Sequence, residues 1–186
     1  MSLPATALKC FAGQHWQWDG VNFEVLYPSW QSYENTSLSD NNRSCVLKIS
    51  SQFGSILLTG DIEELAETSL LEANKNVLPD EKLGDDKLKS DVLIAPHHGS
   101  KTSSSVGFVQ AVGAKHIIFT VGYLNRFKHP KPLIEKRYEE SGAFSYRSDY
   151  NGALLIDFTR KTKVHIQAWR QAQPRYWHDN YSFGEN

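Results

Sequence analysis

The 186-residue sequence has no apolar run approaching the roughly 20 residues needed to cross a lipid bilayer. Its start, MSLPATALKCFAG, also lacks the basic residues and long apolar core of a secretion signal. We therefore expect that the chain alone neither spans a membrane nor directs its own export. The opening MSL is compatible with a vector-derived start, and no strand is predicted before Cys10, which is typical of a sequence excised from a longer protein.

An excess of charge of either sign is also missing. The 20 Lys and Arg residues balance 21 Asp and Glu residues, which gives a formal net charge of −1. With 40% hydrophobic residues, the composition is that of a soluble globular protein, and bulk charge indicates neither a nucleic acid nor a membrane surface as partner. At this length, a single domain over residues 1–186 is the default prediction.

Cysteine is scarce, with only Cys10 and Cys45 in the chain. Two interpretations stay open. Both residues can be buried thiols that pack as small hydrophobic side chains, which a count of two favours. Alternatively they form a disulfide, which would stabilise the fold by roughly 3–4 kcal/mol and would require an oxidising compartment.

Strands alternate with helices in the middle of the chain and pair with each other at both ends, which predicts a mixed α/β fold. Asp19-Gly20 is a strong hairpin signal between two strands, and residues 29–43 have a loop composition. Asp61 stands where an N-cap is expected for a helix from Ile62 to about Lys75. Strands are predicted at 14–18, 21–26, 44–50, 55–61, 92–96, 116–122, 144–149, 152–158 and 163–169, helices at 62–75, 106–114 and 133–142, and a short helix with loops at 77–91.

Asp61, the pair His97-His98 and His129 each follow a predicted strand. Ligands of layered α/β proteins collect at the C-terminal ends of strands, and carboxylates and imidazoles are ligands of Zn²⁺ and Mn²⁺. We call these four residues the histidine rim. Singly, Asp61 is explained as a helix cap and His129 as a loop residue held by prolines, but together they favour a metal site.

Neighbouring residues around the pair suggest a substrate subsite. Because adjacent side chains of an extended chain point in opposite directions, one of His97 and His98 is expected to bind metal and the other to face a substrate phosphate or a supporting carboxylate. Gly99 would allow a close backbone approach, and the Ser100 hydroxyl could hold an anion. Lys101 would add positive charge, although a solvated surface lysine is the plainer interpretation.

Three segments carry a resemblance to a known family. NNRSCVLKISSQFGSILLTGDIE, LKSDVLIAPHHGSKTSSS and VGYLNRFKHPKP, in this order and spacing, resemble the C-terminal metallo-β-lactamase-like domain of the ComEC family of DNA-uptake channel proteins. The resemblance runs from about Gln14 to Phe158. The motifs LLTGD, PHHGS and HP are specific only in combination. Cys10 and Cys45 also resemble the paired cysteines of Gram-negative members, which implies a periplasmic disulfide.

The resemblance implies a fold and an activity. Family members are polytopic inner-membrane proteins that conduct one strand of incoming DNA, and this domain is thought to lie outside the cytoplasmic membrane. The fold is a four-layer αββα sandwich with two divalent metal ions, Zn or Mn, which activate water for hydrolysis, here of the strand that does not enter. The resemblance makes Asp61 the bridging ligand and places His97 or His98, with His129, in the metal shells as catalytic residues.

The sequence departs from the family pattern in one respect, because the HxHxDH-type motif that supplies most ligands is absent. We expect the chain to be the C-terminal half of the sandwich, with weak single-ion binding at most, no hydrolysis alone, and an exposed apolar face that favours self-association.

Two further hypotheses remain: a non-catalytic domain of the same channel that guides DNA or binds a partner, and a different hydrolase of the same superfamily. Basic and aromatic residues near the end of the chain are candidates for DNA contacts and base stacking, although packing against the fold is an equally good interpretation. They are Arg160, Lys161, Lys163, Arg170 and Arg175 with Trp169, Tyr176 and Trp177.

Overall fold

The computed structural model describes residues 8–75, 86–161 and 163–178. Within these ranges, seven strands form one sheet in sequence order and two further strands form a separate hairpin. The strands are β1 His15–Trp18, β2 Val21–Tyr27, β3 Val46–Ser51, β4 Gly54–Leu58, β5 Val92–Ile94, β6 His116–Phe119, β7 Phe144–Arg147, β8 Leu154–Thr159 and β9 Lys163–Ala168. The helices are α1 Glu64–Lys75, α2 Val106–Val112, α3 Pro132–Glu140, α4 Ser148–Asn151 and α5 Trp169–Ala172, with 3-10 turns at Trp30–Tyr33, Asn41–Arg43 and Pro96–Gly99.

The first half of the sheet is antiparallel. β1 and β2 form the hairpin predicted at Asp19-Gly20, and both turn residues have positive φ angles, 49° and 76°. A two-residue turn of this kind matches the twist of the flanking strands. β2 pairs with β3 and β3 with β4 in the same antiparallel sense, so β4 lies at the centre of the sheet.

The second half is parallel. β4, β5, β6 and β7 run in the same direction, and α1, α2 and α3 connect successive strands. These three helices share one apolar core with the sheet, and its largest fully buried side chains include Tyr138, Phe108 and Phe119. Burial of each such side chain contributes about 1.5–3 kcal/mol. The mixed α/β class predicted from the sequence is therefore confirmed.

Most predicted elements are present with small shifts at their ends. Helix α2 begins after Ser105, whose side chain accepts a hydrogen bond from the Phe108 amide, as the serine-cap prediction requires. The loop predicted at 29–43 contains two 3-10 turns, and α4 and α5 were not anticipated. The short helix expected within 77–91 falls mainly on residues outside the described ranges.

Two further features lie toward the two ends of the described part of the chain. A disulfide joins Cys10 to Cys45, with Cα atoms 6.1 Å apart. The β8–β9 hairpin lies against the β3–β4 turn, where a β-carbon on Gly54 would overlap the ring of Phe158. Among the described helices, none has the length and apolar character needed to cross a bilayer.

Candidate functional site

The C-terminal ends of β4, β5 and β6 lie side by side because these strands are parallel neighbours. Two hydrogen bonds join the turns that follow β4 and β5. The buried Thr59 hydroxyl donates to the Ile94 carbonyl at 2.8 Å, and the His97 amide donates to the Gly60 carbonyl at 3.0 Å. The TGD and PHHGS motifs therefore form one connected edge of the sheet.

The prediction that Asp61 caps α1 is wrong. The helix begins at Glu64, and the side-chain oxygen of Asn42 accepts hydrogen bonds from the amides of Glu63 and Ala66 at 3.2 and 3.3 Å. A residue from the preceding loop thus satisfies donors at the start of the helix. The Asp61 carboxylate is left available for other contacts.

His98 faces Asp61 across the edge of the sheet. The Nε2 atom of His98 lies 3.2 Å from Oδ1 of Asp61, and both side chains are partly exposed. The Nδ1 atom lies 2.7 Å from the Thr120 carbonyl oxygen, which can only accept, so Nδ1 carries the hydrogen. Nε2 therefore faces the Asp61 carboxylate with either a proton or a lone pair. A lone pair and a negatively charged carboxylate repel each other, so the second case requires a cation between them.

His97 and His98 do not adopt the extended conformation expected from the sequence. Both residues are left-handed, with φ angles of 47° and 56°, inside the Pro96–Gly99 turn. Their rings therefore lie on the same rim, with centroids 6.5 Å apart, instead of pointing to opposite sides. Left-handed non-glycine residues are uncommon and concentrate at functional sites.

Glu63 is a site residue that sequence reasoning missed. Its Oε1 atom accepts a hydrogen bond from the Thr102 hydroxyl at 2.9 Å and lies 3.5 Å from Nδ1 of His97. The same Thr102 hydroxyl lies 3.4 Å from that nitrogen. Its position two residues after Asp61 could have indicated that it lies at the same edge of the sheet. An acidic residue at the start of a helix is, however, usually explained by its favourable interaction with the helix dipole.

His129 approaches the pair from the loop after β6. Its ring centroid lies 6.1 Å from that of His97, and the Asn125 side chain bonds both its amide and its carbonyl, at 2.8 and 2.9 Å. The buried Nδ1 atom has no hydrogen-bond partner among the described residues. Burial lowers the pKa of His129, and the charges of Lys131, His97 and His98 lower it further, which favours the neutral imidazole that binds metals.

Gly99 allows this approach. Its φ angle is 80°, and a β-carbon there would lie 2.6 Å from Cβ of Pro130 and 2.8 Å from the Phe119 ring. The Lys131 amide also donates to the Gly99 carbonyl at 2.9 Å. This close packing fixes the His129 loop against the PHHGS turn, whereas the close backbone approach to a bound metal or anion expected at Gly99 stays a prediction.

The expected anion-binding residues occupy different environments. Ser100 is buried, and its hydroxyl lies 3.1 Å from the Thr102 hydroxyl. Lys101 is exposed on the adjacent turn. Their role in phosphate binding stays a prediction.

Of the C-terminal cations, Arg170 donates to the backbone carbonyls of Asp149 and Tyr150, and the Arg175 guanidinium lies 5.9 Å from the Trp177 ring. The Arg170 contacts tie α5 to α4, whereas the Arg175 contact lies within the C-terminal tail. The side chain of Lys163 is outside the part of the chain that the structure describes.

The side chains of the histidine rim are of the types that bind a divalent metal, but they lie too far apart to form a complete metal site by themselves. One carboxylate and three imidazoles are ligands that Zn²⁺ and Mn²⁺ accept. Across residues 8–75, 86–161 and 163–178, however, no three His, Cys, Asp or Glu side chains converge closely enough to hold an ion. A metal at this edge would need ligands beyond those placed here.

Comparison with known proteins bears on the origin of the chain. No protein-family model matches it. It is 40% identical to Competence protein ComA of Neisseria gonorrhoeae over 149 residues, and this aligned region covers 80% of the chain and 20% of ComA. It is also 34% identical to ComE operon protein 3 of Bacillus subtilis over 141 residues, and this region covers 76% of the chain and 16% of that relative. Recombination protein 2 of Haemophilus influenzae is 29% identical over 167 residues, which covers 90% and 19%.

The chain thus spans about a fifth of the length of the curated relatives that it matches. These relatives support a ComEC-family competence protein.

Proposed function

We propose that the chain is part of a metal-dependent phosphodiesterase domain of a DNA-uptake protein, with a metallo-β-lactamase-like αββα fold in the complete domain. The observation that carries the proposal is the meeting of Asp61 and His98 at the ends of adjacent parallel strands. A carboxylate oxygen and an imidazole nitrogen 3.2 Å apart are close enough to share a cation, either a proton or a metal ion. His97 and His129 lie beside it.

The residues of the chain would act by holding and orienting ligands. The Thr120 carbonyl fixes the His98 ring so that Nε2 faces Asp61, and Glu63 with Thr102 orients His97 in the same way. His129 would contribute a further nitrogen, since its buried Nδ1 atom has no partner among the described residues. Divalent ions bound at the completed rim would supply Lewis-acid stabilisation of the charge that develops on the oxygens of a phosphodiester.

The proposal requires ligands from elsewhere in the parent protein. Since the relatives are several times as long as the chain, the remainder of the same polytopic membrane protein is the proposed partner, and single-stranded DNA is the proposed substrate. The Cys10–Cys45 disulfide supports a periplasmic or other extracytoplasmic position for this domain of an inner-membrane protein, because disulfides persist in oxidising compartments.

The test compares this chain with a longer form of the parent protein that includes upstream residues. Bound Zn²⁺ and Mn²⁺ are measured by elemental analysis, and cleavage of a labelled single-stranded oligonucleotide is measured in parallel. We expect two bound ions and cleavage only in the longer form, with both lost in Asp61→Asn. Asp157→Asn, which removes an exposed carboxylate on the β8–β9 hairpin, is the matched control and should retain both. A longer form that binds two ions but does not cut would refute the nuclease assignment.

A non-catalytic domain that guides DNA or binds a partner is the second candidate. The observation that favours it is the spacing of the rim, where no three donors converge within the described residues. This candidate predicts that the longer form binds oligonucleotide with unchanged affinity after Asp61→Asn, and that metal chelation leaves that affinity unchanged.

A further inference from the structure

A cavity of about 860 Å³ lies at the opposite edge of the sheet from the histidine rim. It opens beside the first residues of β4 and β5, between the C-terminal end of α2 and the turn of the β8–β9 hairpin. We call it the β4–β5 cavity. Its lining residues include Asn22, Lys48, Ser50, Ser55, Lys89 and Arg160. Its volume is within the range of small-molecule sites.

The polar character of this cavity originates in the strands. Asn22, Ser50 and Ser55 are aligned in one cross-strand row over β2, β3 and β4. Alternation along β4 places Ser55 on the same face as the core residue Leu57. This face is apolar where the helices cover it and becomes polar where it borders the cavity.

Lys48 is the residue that most strongly indicates an anion-binding role for this cavity. It is only 7% exposed, although lysine is rarely buried without a partner. Its ammonium makes one long hydrogen bond, 3.5 Å, to the Asp86 carbonyl, and no described carboxylate lies within ion-pair distance. Glu24, its cross-strand neighbour on β2, bonds Lys87 at 2.7 Å instead. A buried ammonium whose remaining donors are not used by the described residues is well placed to bind an anion.

The surroundings add positive charge. Lys89 and Arg160 line the same cavity, and Asp91 is its acidic lining residue. The Oδ2 atom of Asp91 already accepts from the Ser55 amide at 2.8 Å and from the Ser55 hydroxyl at 3.0 Å. The lining therefore carries three cations, of which Lys89 also lies 3.8 Å from the Asp86 carboxylate, against one carboxylate that is engaged by the amide and hydroxyl of Ser55.

We propose that the β4–β5 cavity is a second binding site, separate from the histidine rim, which takes the phosphate groups of a phosphorylated ligand. Lys48 supplies a buried charge at the wall, and Arg160 supplies a planar guanidinium suited to phosphate oxygens. The Asn22 amide and the Ser50 hydroxyl can complete the hydrogen bonds. The proposal is independent of the phosphodiesterase function, because no residue of the histidine rim lines this cavity.

The test uses the 186-residue chain with Asp61→Asn and His98→Gln introduced throughout, so that the histidine rim contributes less to anion binding. Pyrophosphate is titrated by calorimetry at constant ionic strength. Arg160→Gln is compared with Lys161→Gln, which makes the same charge change at the next residue of the same turn but does not line the cavity. We expect Arg160→Gln to weaken pyrophosphate binding by at least about tenfold and Lys161→Gln to leave it unchanged.

Lys48→Met provides the second arm, because it keeps an unbranched apolar chain of similar length. We expect loss of pyrophosphate binding together with an unchanged or higher Tm of the ligand-free chain, since a buried charge is removed. A lower Tm with unchanged affinity would show that Lys48 is structural, and would overturn its role. If this variant does not fold, the pair at positions 160 and 161 decides the question.

An oligothymidylate distinguishes the two sources of phosphate. Competition between oligothymidylate and pyrophosphate, with the same loss in Arg160→Gln, would assign the site to a nucleic acid backbone. Binding of pyrophosphate alone would assign it to a small phosphorylated molecule. Equal affinities of Arg160→Gln and Lys161→Gln for pyrophosphate, or no binding of pyrophosphate at millimolar concentration, would overturn the proposal.

Discussion

The Nε2 atom of His98 lies 3.2 Å from Oδ1 of Asp61, while the opposite nitrogen of the same ring is held by the Thr120 carbonyl. This arrangement fixes which nitrogen faces the carboxylate. Because the two residues follow neighbouring parallel strands, their separation depends on the sheet and not on a flexible loop alone. Asp61 and His98 are therefore the two residues of the histidine rim whose relative position is fixed most directly by the sheet.

Addition of Mn²⁺ to the chain should broaden the NMR signals of the rim histidines. His97, His98 and His129 are expected to lose intensity at substoichiometric Mn²⁺, because a paramagnetic ion at the rim relaxes nearby nuclei. His15, which is exposed and lies far along the chain on β1, should keep its signal. Asp61→Asn should abolish the selective broadening. Equal broadening of all four histidines would instead indicate non-specific binding.

The cap of α1 gives a prediction on stability. Asn42→Ala removes the acceptor for the amides of Glu63 and Ala66, and should lower the free energy of unfolding in urea by about 1–2 kcal/mol. Asn41→Ala, on the adjacent residue, should change it by less than about 0.5 kcal/mol. Asp61→Ala should likewise be near neutral, and a large loss there would mean that Asp61 does support the helix.

Gly99→Ala should both destabilise the protein and disturb the site. The new β-carbon would overlap Pro130 and Phe119 in a left-handed backbone, so we expect a loss of about 3 kcal/mol. Gly122→Ala is the control, because no atom lies within 4 Å of its β-carbon position. Its unfolding free energy should stay within about 0.5 kcal/mol of the parent. Equal effects of the two substitutions would contradict the packing described for the PHHGS turn.

The buried Glu67 predicts a dependence of stability on pH. Burial raises the pKa of this carboxyl above its ordinary value of 4.5, although the amides of Ser104 and Ser105 donate to it. The folded state therefore binds the proton more tightly than the unfolded chain. The stability that this group contributes is fully present below pH 4.5 and is lost as the pH rises through the raised value.

Urea unfolding of the parent and of Glu67→Gln at several pH values tests whether this contribution to stability falls as the pH rises. The stability of the parent relative to the variant should fall as the pH rises from below 4.5 toward neutrality. Glu72→Gln, an exposed change on the same helix, should run parallel to the parent. A relative stability that rises with pH would show that the hydrogen bonds outweigh burial.

Reduction of the disulfide should destabilise the fold. Cys10 and Cys45 are separated by 35 positions, and closing a loop of this length contributes about 3–4 kcal/mol in the chain-entropy model. Urea unfolding with and without a reductant measures the difference. The double variant Cys10→Ser, Cys45→Ser should be insensitive to the reductant and should match the reduced parent.

The fold was largely predictable because its signals are local. The Asp19-Gly20 turn and the Ser105 cap each depend on a few neighbouring residues, and both are confirmed. The N-cap of α1 was mispredicted because Asn42, which lies about 20 residues earlier, competes with Asp61 through tertiary contact. No local pattern records that competition.

The sequence indicated which residues would lie along the histidine rim but not how they are arranged, and their roles in a site stay a prediction. The strand order explains why Asp61 meets His98, since parallel neighbours share an edge. The left-handed conformations of His97 and His98 could not be derived, because neither residue type requires them. Glu63 was missed since its role depends on a contact with Thr102 from another loop.

The division of the sheet into antiparallel and parallel halves also has a kinetic consequence. β1–β2 and β3–β4 are joined by two-residue turns, whereas each parallel pair requires a helical crossover. Short loops close before long ones, so the β1–β2 and β3–β4 hairpins are expected to form first and the edge that carries His98 and His129 last. An ion bound at a late-forming edge would slow unfolding and leave the folding rate nearly unchanged.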